Sequence, residues 1–188
     1  MRKTIILCQY FIFCVSICNA QLHKSPAPSP AFSDALNKIV ASFRNNYYSI
    51  QGNIINAQED ADVYETNATL PGAVHSFVYR FHSAEDTTAS WQAVMYSGES
   101  FKEASKVYKN IFKLVNNSHF AIDNTGINFT GEMEEPTEEL RFTASPLKAI
   151  STNPAYSRFF AEVEMINSFS GWEVHLNLHN KKDDRNKY

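Results

Sequence analysis

Residues 158–179 alternate between apolar and polar side chains almost without a break, and a period of two confines this part of the chain to β-structure. Phe159, Ala161, Val163 and Met165 fall on one side of the run Arg158–Ile166. Trp172, Val174, Leu176 and Leu178 fall on one side of Trp172–His179, opposite Glu173, His175, Asn177 and His179. Ser168-Phe-Ser-Gly between the two runs reads as their connecting loop. Strands with one apolar and one polar side belong to an antiparallel sheet that buries one face and wets the other.

Two amphipathic helices can cover such a sheet. Phe32, Leu36, Ile39, Val40 and Phe43 recur at helical spacing in a segment that starts between Ser29 and Ser33 and ends at Asn45-Asn46. Ser100-x-x-Glu103 is a capping box, and Phe101, Ala104, Val107, Tyr108, Ile111, Phe112 and Val115 line one side of the helix it opens. Between the helices, Ala73–Phe81 and Thr88–Tyr96 are rich in aromatic and β-branched residues and read as a hairpin. Ser49–Ile55 is a strand interrupted by Gly52, hence an edge or a bulge, and Asp62–Thr66 is a weaker strand. After the second helix, Gly126–Met133 and Leu140–Ala144 read as strands, Glu134–Glu139 as an acidic turn and Ser145–Pro154 as a loop. The fold class expected is α+β: an antiparallel sheet with two helices packed on one face.

The two halves, 32–97 and 98–180, also look alike. Phe43-Arg-Asn-Asn matches Leu114-Val-Asn-Asn, Ile50-Gln-Gly-Asn matches Phe129-Thr-Gly-Glu, and Ser90-Trp91-Gln-Ala-Val matches Gly171-Trp172-Glu-Val-His. These matches predict a tandem pseudo-repeat of a helix plus three or four strands. The alternative is chance similarity in a chain rich in Phe and Asn.

Residues 1–20 have the anatomy of a secretory signal peptide: Arg2 and Lys3, an apolar stretch Ile5–Ile17, and Cys18-Asn19-Ala20 before a cleavage point at Gln21. A secreted or periplasmic location follows, with a lipid anchor through Cys18 as the alternative, and no membrane span after cleavage. Residues 21–31 form a Pro-rich linker, 32–180 one α+β domain, and 181–188 a charged disordered tail. All three cysteines (Cys8, Cys14, Cys18) lie before the cleavage point, so the mature chain has no disulfides and depends on its core. Removing Arg2 and Lys3 from the 17 basic residues leaves 15 against 20 acidic ones, and no basic run interleaved with aromatics occurs. Nucleic acid is therefore excluded as an expected partner. Asn67, Asn116 and Asn128 head glycosylation sequons, which matter only in a eukaryotic secretory route.

Chemistry is sparsely signalled. Glu162 and Glu164 share the polar side of their strand, and pairing Ile166 with Gly171 or with Glu173 sets a carboxylate opposite His175. His175 and His179 are roughly 13 Å apart along a strand and cannot share one ion, so no metal and no cofactor is expected, and the polar side reads as a solvated face with cross-strand charge pairs. No Gly-x-Ser-x-Gly elbow, P-loop, dinucleotide fingerprint or His-Glu-x-x-His is present, and no catalytic residue is assigned. Aromatic residues are more numerous than one buried face can use. Of the two sides of Ala73–Phe81, the one with His75, Phe77, Tyr79 and Phe81 is the better core candidate. Phe160 is expected to be exposed beside Glu162 and Glu164.

Two functions remain open on these grounds. One is a non-catalytic envelope protein that binds a protein partner or an apolar small molecule, with Phe160, Glu162, Glu164 and His175 as binding residues. The other is a small exported hydrolase working through carboxylates and histidine, with His175, Glu162 and Glu164 as its working groups.

Overall fold

A computed structural model describes residues 27–82 and 88–180, so the expected signal peptide, most of the expected linker and the expected tail lie outside the described residues. The first helix, α1 (Pro30–Ser42), begins where Ser29 Oγ accepts the Phe32 amide at 3.2 Å and Pro30 occupies the first turn, which needs no N–H there. Its buried stripe is Phe32, Leu36, Ile39 and Val40. A 3-10 turn (Phe43–Asn45) follows, and Asn46 and Tyr47 take left-handed backbone at φ 56° and 62°. Asn46 is well suited to that conformation, and its side chain accepts the Ala89 amide. Tyr47 is held by complete burial and by its hydroxyl, which donates to the Leu178 carbonyl at 2.9 Å.

Among the described residues, nine strands form one antiparallel sheet: β1 (Gln51–Ala57), β2 (Ala61–Thr66), β3 (His75–Phe81), β4 (Ser90–Gly98), β5 (His119–Ile122), β6 (Thr125–Thr130), β7 (Phe142–Ser151), β8 (Phe159–Ser168) and β9 (Gly171–Asn180). Their order is β1-β2-β3-β4-β9-β8-β7-β6-β5. The chain therefore fills the sheet inward from one edge, then inward from the other, and its two best-patterned hairpins meet where β4 pairs with β9. The second helix, α2 (Phe101–Asn116), is capped by Ser100, whose Oγ accepts the Glu103 amide. It packs Ala104, Tyr108, Ile111, Phe112 and Val115 inward and lies against β4, β6, β8 and β9. The architecture is thus α+β with an antiparallel sheet. Among the described residues no helix is long and apolar enough to cross a membrane.

Phe159 is the junction of the core. Its ring stacks on Phe43 at 4.2 Å between centroids and meets Tyr156 at 5.7 Å and Phe129 at 5.8 Å. One fully buried side chain on β8 thereby ties the end of α1 to the 3-10 turn before β8 (Pro154–Tyr156) and to β6. All eight apolar residues expected to face inward from β8 and β9 are buried.

Three expectations change. Residues 119–122, given no element on sequence, form β5, because Asp123 and Asn124 both adopt left-handed backbone and close a two-residue hairpin. The segment Ser145–Pro154, expected as a loop, is mostly the outer half of β7. Thr143, Ser145, Leu147 and Ala149 alternate inward along it, past Pro146. Pro146 is tolerated because its carbonyl points toward Gly131, and in a strand the nitrogen of a residue lies on the same edge as its carbonyl. The missing N–H therefore falls beyond the last paired residue of β6, Thr130.

The third change is the face of β3. Val78, not Phe77 or Tyr79, points into the core and is fully buried, while Phe81 is 47% exposed. Arg80 shares the Val78 side without breaking the core, since it sits at the periphery. Its guanidinium donates to the Asn46 carbonyl at 2.8 Å and to Gln51, and lies 3.7 Å over the Tyr48 ring. His75, Phe77, Tyr79 and Phe81 are consequently left on the outer side of the sheet.

Candidate functional site

That outer side becomes a site through cross-strand register. Tyr79 stands opposite Ser90 and Phe77 opposite Gln92 on β4. Gln92 then faces Asn177 on β9, and Asn177 faces Glu162 on β8. One step along, Val94, His175 and Glu164 form a parallel row. Residues paired across an antiparallel sheet project their side chains to the same face. An aromatic strand, an amide-bearing pair and an acidic strand are thus laid side by side.

The result is an open groove of about 410 Å³ lined by Tyr79, Phe81, Ser90, Gln92, Glu162, Glu164, Asn177 and His179. Its floor is knitted together: the Tyr79 hydroxyl donates to Gln92 Oε1 at 3.2 Å, and Gln92 Nε2 donates to Asn177 Oδ1 at 2.8 Å. The Phe77 and Tyr79 rings meet edge to face at 6.3 Å, which stiffens the aromatic wall. On the acidic wall, Glu162 lies 3.5 Å from His179 Nε2 and Glu164 lies 4.0 Å from His175 Nδ1. The other His175 nitrogen is 2.9 Å from Glu173.

Burial holds the Glu164 carboxyl above the ordinary carboxylate range. The Asn177 hydrogen bond opposes that shift, the Glu162 charge adds to it, and His175 and His179 oppose it. Glu164 therefore binds its proton more tightly in the folded chain than in the unfolded one. Stability falls as pH rises from the ordinary carboxylate value through the raised folded value. Glu164→Gln removes the burdened charge and keeps the shape. It is expected to raise the melting temperature at about pH 7, while at about pH 3.5, below the ordinary value, the variant and the parent converge. Thermal melts at the two pH values check this.

The register places the four sequence-derived candidates on one face of β8 and β9. Glu162 and Glu164 line the groove, and His175 stands opposite Glu164 just beyond the lining. Phe160 is half-buried rather than exposed, because His179 and Lys148 flank it on the neighbouring strands. Sequence reasoning left out the other wall. The aromatic pattern of 73–81 assigns Tyr79 and Phe81 inward, and nothing local in 88–96 announces that Ser90 and Gln92 border β9. Among the described residues no group of three His, Cys, Asp or Glu side chains is arranged to hold a metal ion.

A larger depression, about 760 Å³, runs along the outer side of α2 between Tyr96 and the lysines Lys102, Lys106, Lys109 and Lys113. Its polar groups are mostly the ends of long side chains, one of which, Lys109, pairs with Glu135. It lacks the fixed amide floor of the smaller groove. Size aside, the chemistry that can orient a ligand lies between β3 and β8. Comparison with protein-family models, with curated proteins and with solved structures finds no match to this chain.

Proposed function

We propose that this chain is an exported, non-catalytic binding protein that takes its ligand into the groove between β3 and β8. The observation that carries the reading is the Tyr79–Gln92–Asn177 hydrogen-bonded floor set between an aromatic wall and an acidic one. Apolar surface with a few fixed polar groups is how proteins bind small ligands, and 410 Å³ falls in the size range of such sites, roughly 300–1,000 Å³. An apolar small molecule, or one side chain of a protein partner, fits that space. Phe160, Glu162, Glu164 and His175 belong to the same face, and nucleic acid is not a partner of a groove with two carboxylates.

Export rests on the signal-peptide anatomy of residues 1–20, with lipidation at Cys18 as the alternative route to the same side of the membrane. We further infer that the described residues form one domain built as a pseudo-twofold repeat, with α1 and α2 on one face of the sheet. Three things support this: the strand order converges on β4 and β9 from both edges, each of those strands begins beside a buried Trp (Trp91, Trp172), and the helices share one buried cluster with the inward sides of β4, β7, β8 and β9.

The test is native mass spectrometry of protein purified from its own exported compartment, alongside a Phe77→Ala, Gln92→Ala variant that melts cooperatively. Bound mass on the parent that is absent from the variant is the expected result. Equal bound mass on both removes the groove as the site.

A second reading, an exported hydrolase, draws on one observation: a carboxyl held protonated more readily than usual lies 4.0 Å from an imidazole, as in acid–base pairs. It requires His175→Ala to keep the fold and abolish turnover in a broad hydrolase screen. Absence of turnover in the parent would sink it.

A further inference from the structure

We propose that the outer side of α2 is a second docking surface, separate from the groove, and that it takes an extended acidic segment of a protein partner. Lys102, Lys106, Lys109 and Lys113 line the depression there. At about 3.6 residues per turn they fall within roughly 60° of one another around the helix, away from the buried Ala104, Tyr108, Ile111 and Val115. The chain carries more acidic than basic residues, 20 against 17, so four lysines in one row concentrate charge of the minority sign. Glu103 is the one carboxylate of the lining, and the Tyr96 hydroxyl engages it at 3.3 Å in the first turn.

The chain itself shows the chemistry that fits this side. Residues 131–137 have no regular secondary structure and carry Glu132, Glu134 and Glu135. Pro136 is buried, Met133 packs on the core, and the Glu134 amide donates to Ser145 Oγ at 2.7 Å. So anchored, the segment brings Glu135 to Lys109. It reaches one lysine of the four. Lys102, Lys106 and Lys113 are exposed and, among the described residues, pair with no carboxylate. From Lys102 to Lys113 the row runs about 17 Å along the helix axis. An extended chain covers that in about five residues. Its alternate side chains stand about 7 Å apart on one side, close to the rise of about 6 Å between Lys102 and Lys106. A membrane surface would match the charge but not the shape, since flat headgroups bridge a depression without filling it. Tyr96 and Val107 in the lining offer a peptide apolar contact as well. A surface without a fixed polar floor suits a long partner held by several charges at once.

The experiment follows the fluorescence anisotropy of a labelled Glu-Thr-Glu-Thr-Glu-Thr-Glu peptide titrated with the protein at about 50 mM salt. Saturable binding is expected, weakening as salt is raised, and about tenfold tighter than for the peptide with Gln in place of each Glu. The Lys102→Gln, Lys106→Gln, Lys113→Gln variant changes only exposed positions and is expected to bind the acidic peptide about tenfold more weakly than the parent. The Lys38→Gln, Lys148→Gln, Arg158→Gln variant loses the same charge from exposed positions outside α2 and is expected to bind as the parent does. Glu135→Gln frees Lys109 and is expected to tighten binding about twofold. Equal affinity in the α2 variant and the parent overturns the proposal, as does equal affinity for the two peptides. Retention of the protein on phosphatidylserine vesicles without any binding of the peptide would give this side to a membrane and overturn it too.

Discussion

Phe159→Ala is expected to destabilise the protein by about 3–5 kcal/mol, the range for removing a fully buried aromatic side chain from a core. The magnitude follows from what the ring touches. Phe43, Tyr156 and Phe129 approach it from three elements, and none of them can follow a retreating neighbour without leaving its own contacts. The cavity would therefore persist rather than collapse, which places the effect at the upper end. For a domain of this size each kcal/mol lowers the midpoint by about 2–4 °C, so a loss of about 10 °C or more is expected in a thermal melt. Denaturant titration gives the free energy directly. A loss below about 1 kcal/mol would mean that α1 is not anchored through this ring.

Gly131→Ala is the second large effect, and its cause is backbone rather than side-chain packing. A Cβ at this position would overlap the Pro146 carbonyl oxygen and lie 3.1 Å from the Leu147 Cα. Neither atom belongs to a flexible side chain, so relief requires β6 and β7 to separate where they are still paired through Thr130 and Lys148. A cost of about 1–3 kcal/mol is expected, as for overpacking in a rigid site. Hydrogen exchange should localise the loosening to residues 127–130 and 148–151, with β8 and β9 little changed. A neutral substitution would show that β7 does not run past Pro146 in the register described here, and Ser145–Ser151 would revert to a loop.

These two sites also mark the limits of reading the sequence. Helices α1 and α2 were legible because caps and apolar stripes are local signals: Ser29 with Pro30, and Ser100 with Glu103, do their work within one turn. The strands β8 and β9 were legible because strict alternation reaches its buried and wet faces without help from the rest of the chain. Strand β7 was legible only at its start, within the strand expected at Leu140–Ala144, because Pro146 carries a local signal for a break, and only the early end of β6 makes its missing N–H harmless. Strand β5 is four residues long, too short for a period of two to stand out, and its turn uses Asp123-Asn124 rather than a glycine pair.

The inward face of β3 was misread for a related reason. Aromatic residues ordinarily win the core over serine and arginine, but here Arg80 is satisfied by the Asn46 carbonyl, Gln51 and the Tyr48 ring, so the polar side can face inward at the sheet periphery. The candidate site shares that fate. Its acidic wall on β8 follows from alternation alone. Its aromatic wall on β3 depends on the pairing of β4 with β9, between residues far apart in the chain, which no local pattern encodes.

The proposed function stands or falls with the groove between β3 and β8 as the binding site. Soaking crystals of the protein in a library of small fragments of mixed charge tests it most directly, because every depression on the molecule competes on equal terms. Bound fragments are expected to concentrate between Tyr79 or Phe81 and Glu162 or Glu164, resting on Gln92 and Asn177. Fragments gathered along Lys102, Lys106 and Lys113 on α2, with the groove between β3 and β8 vacant, would contradict it.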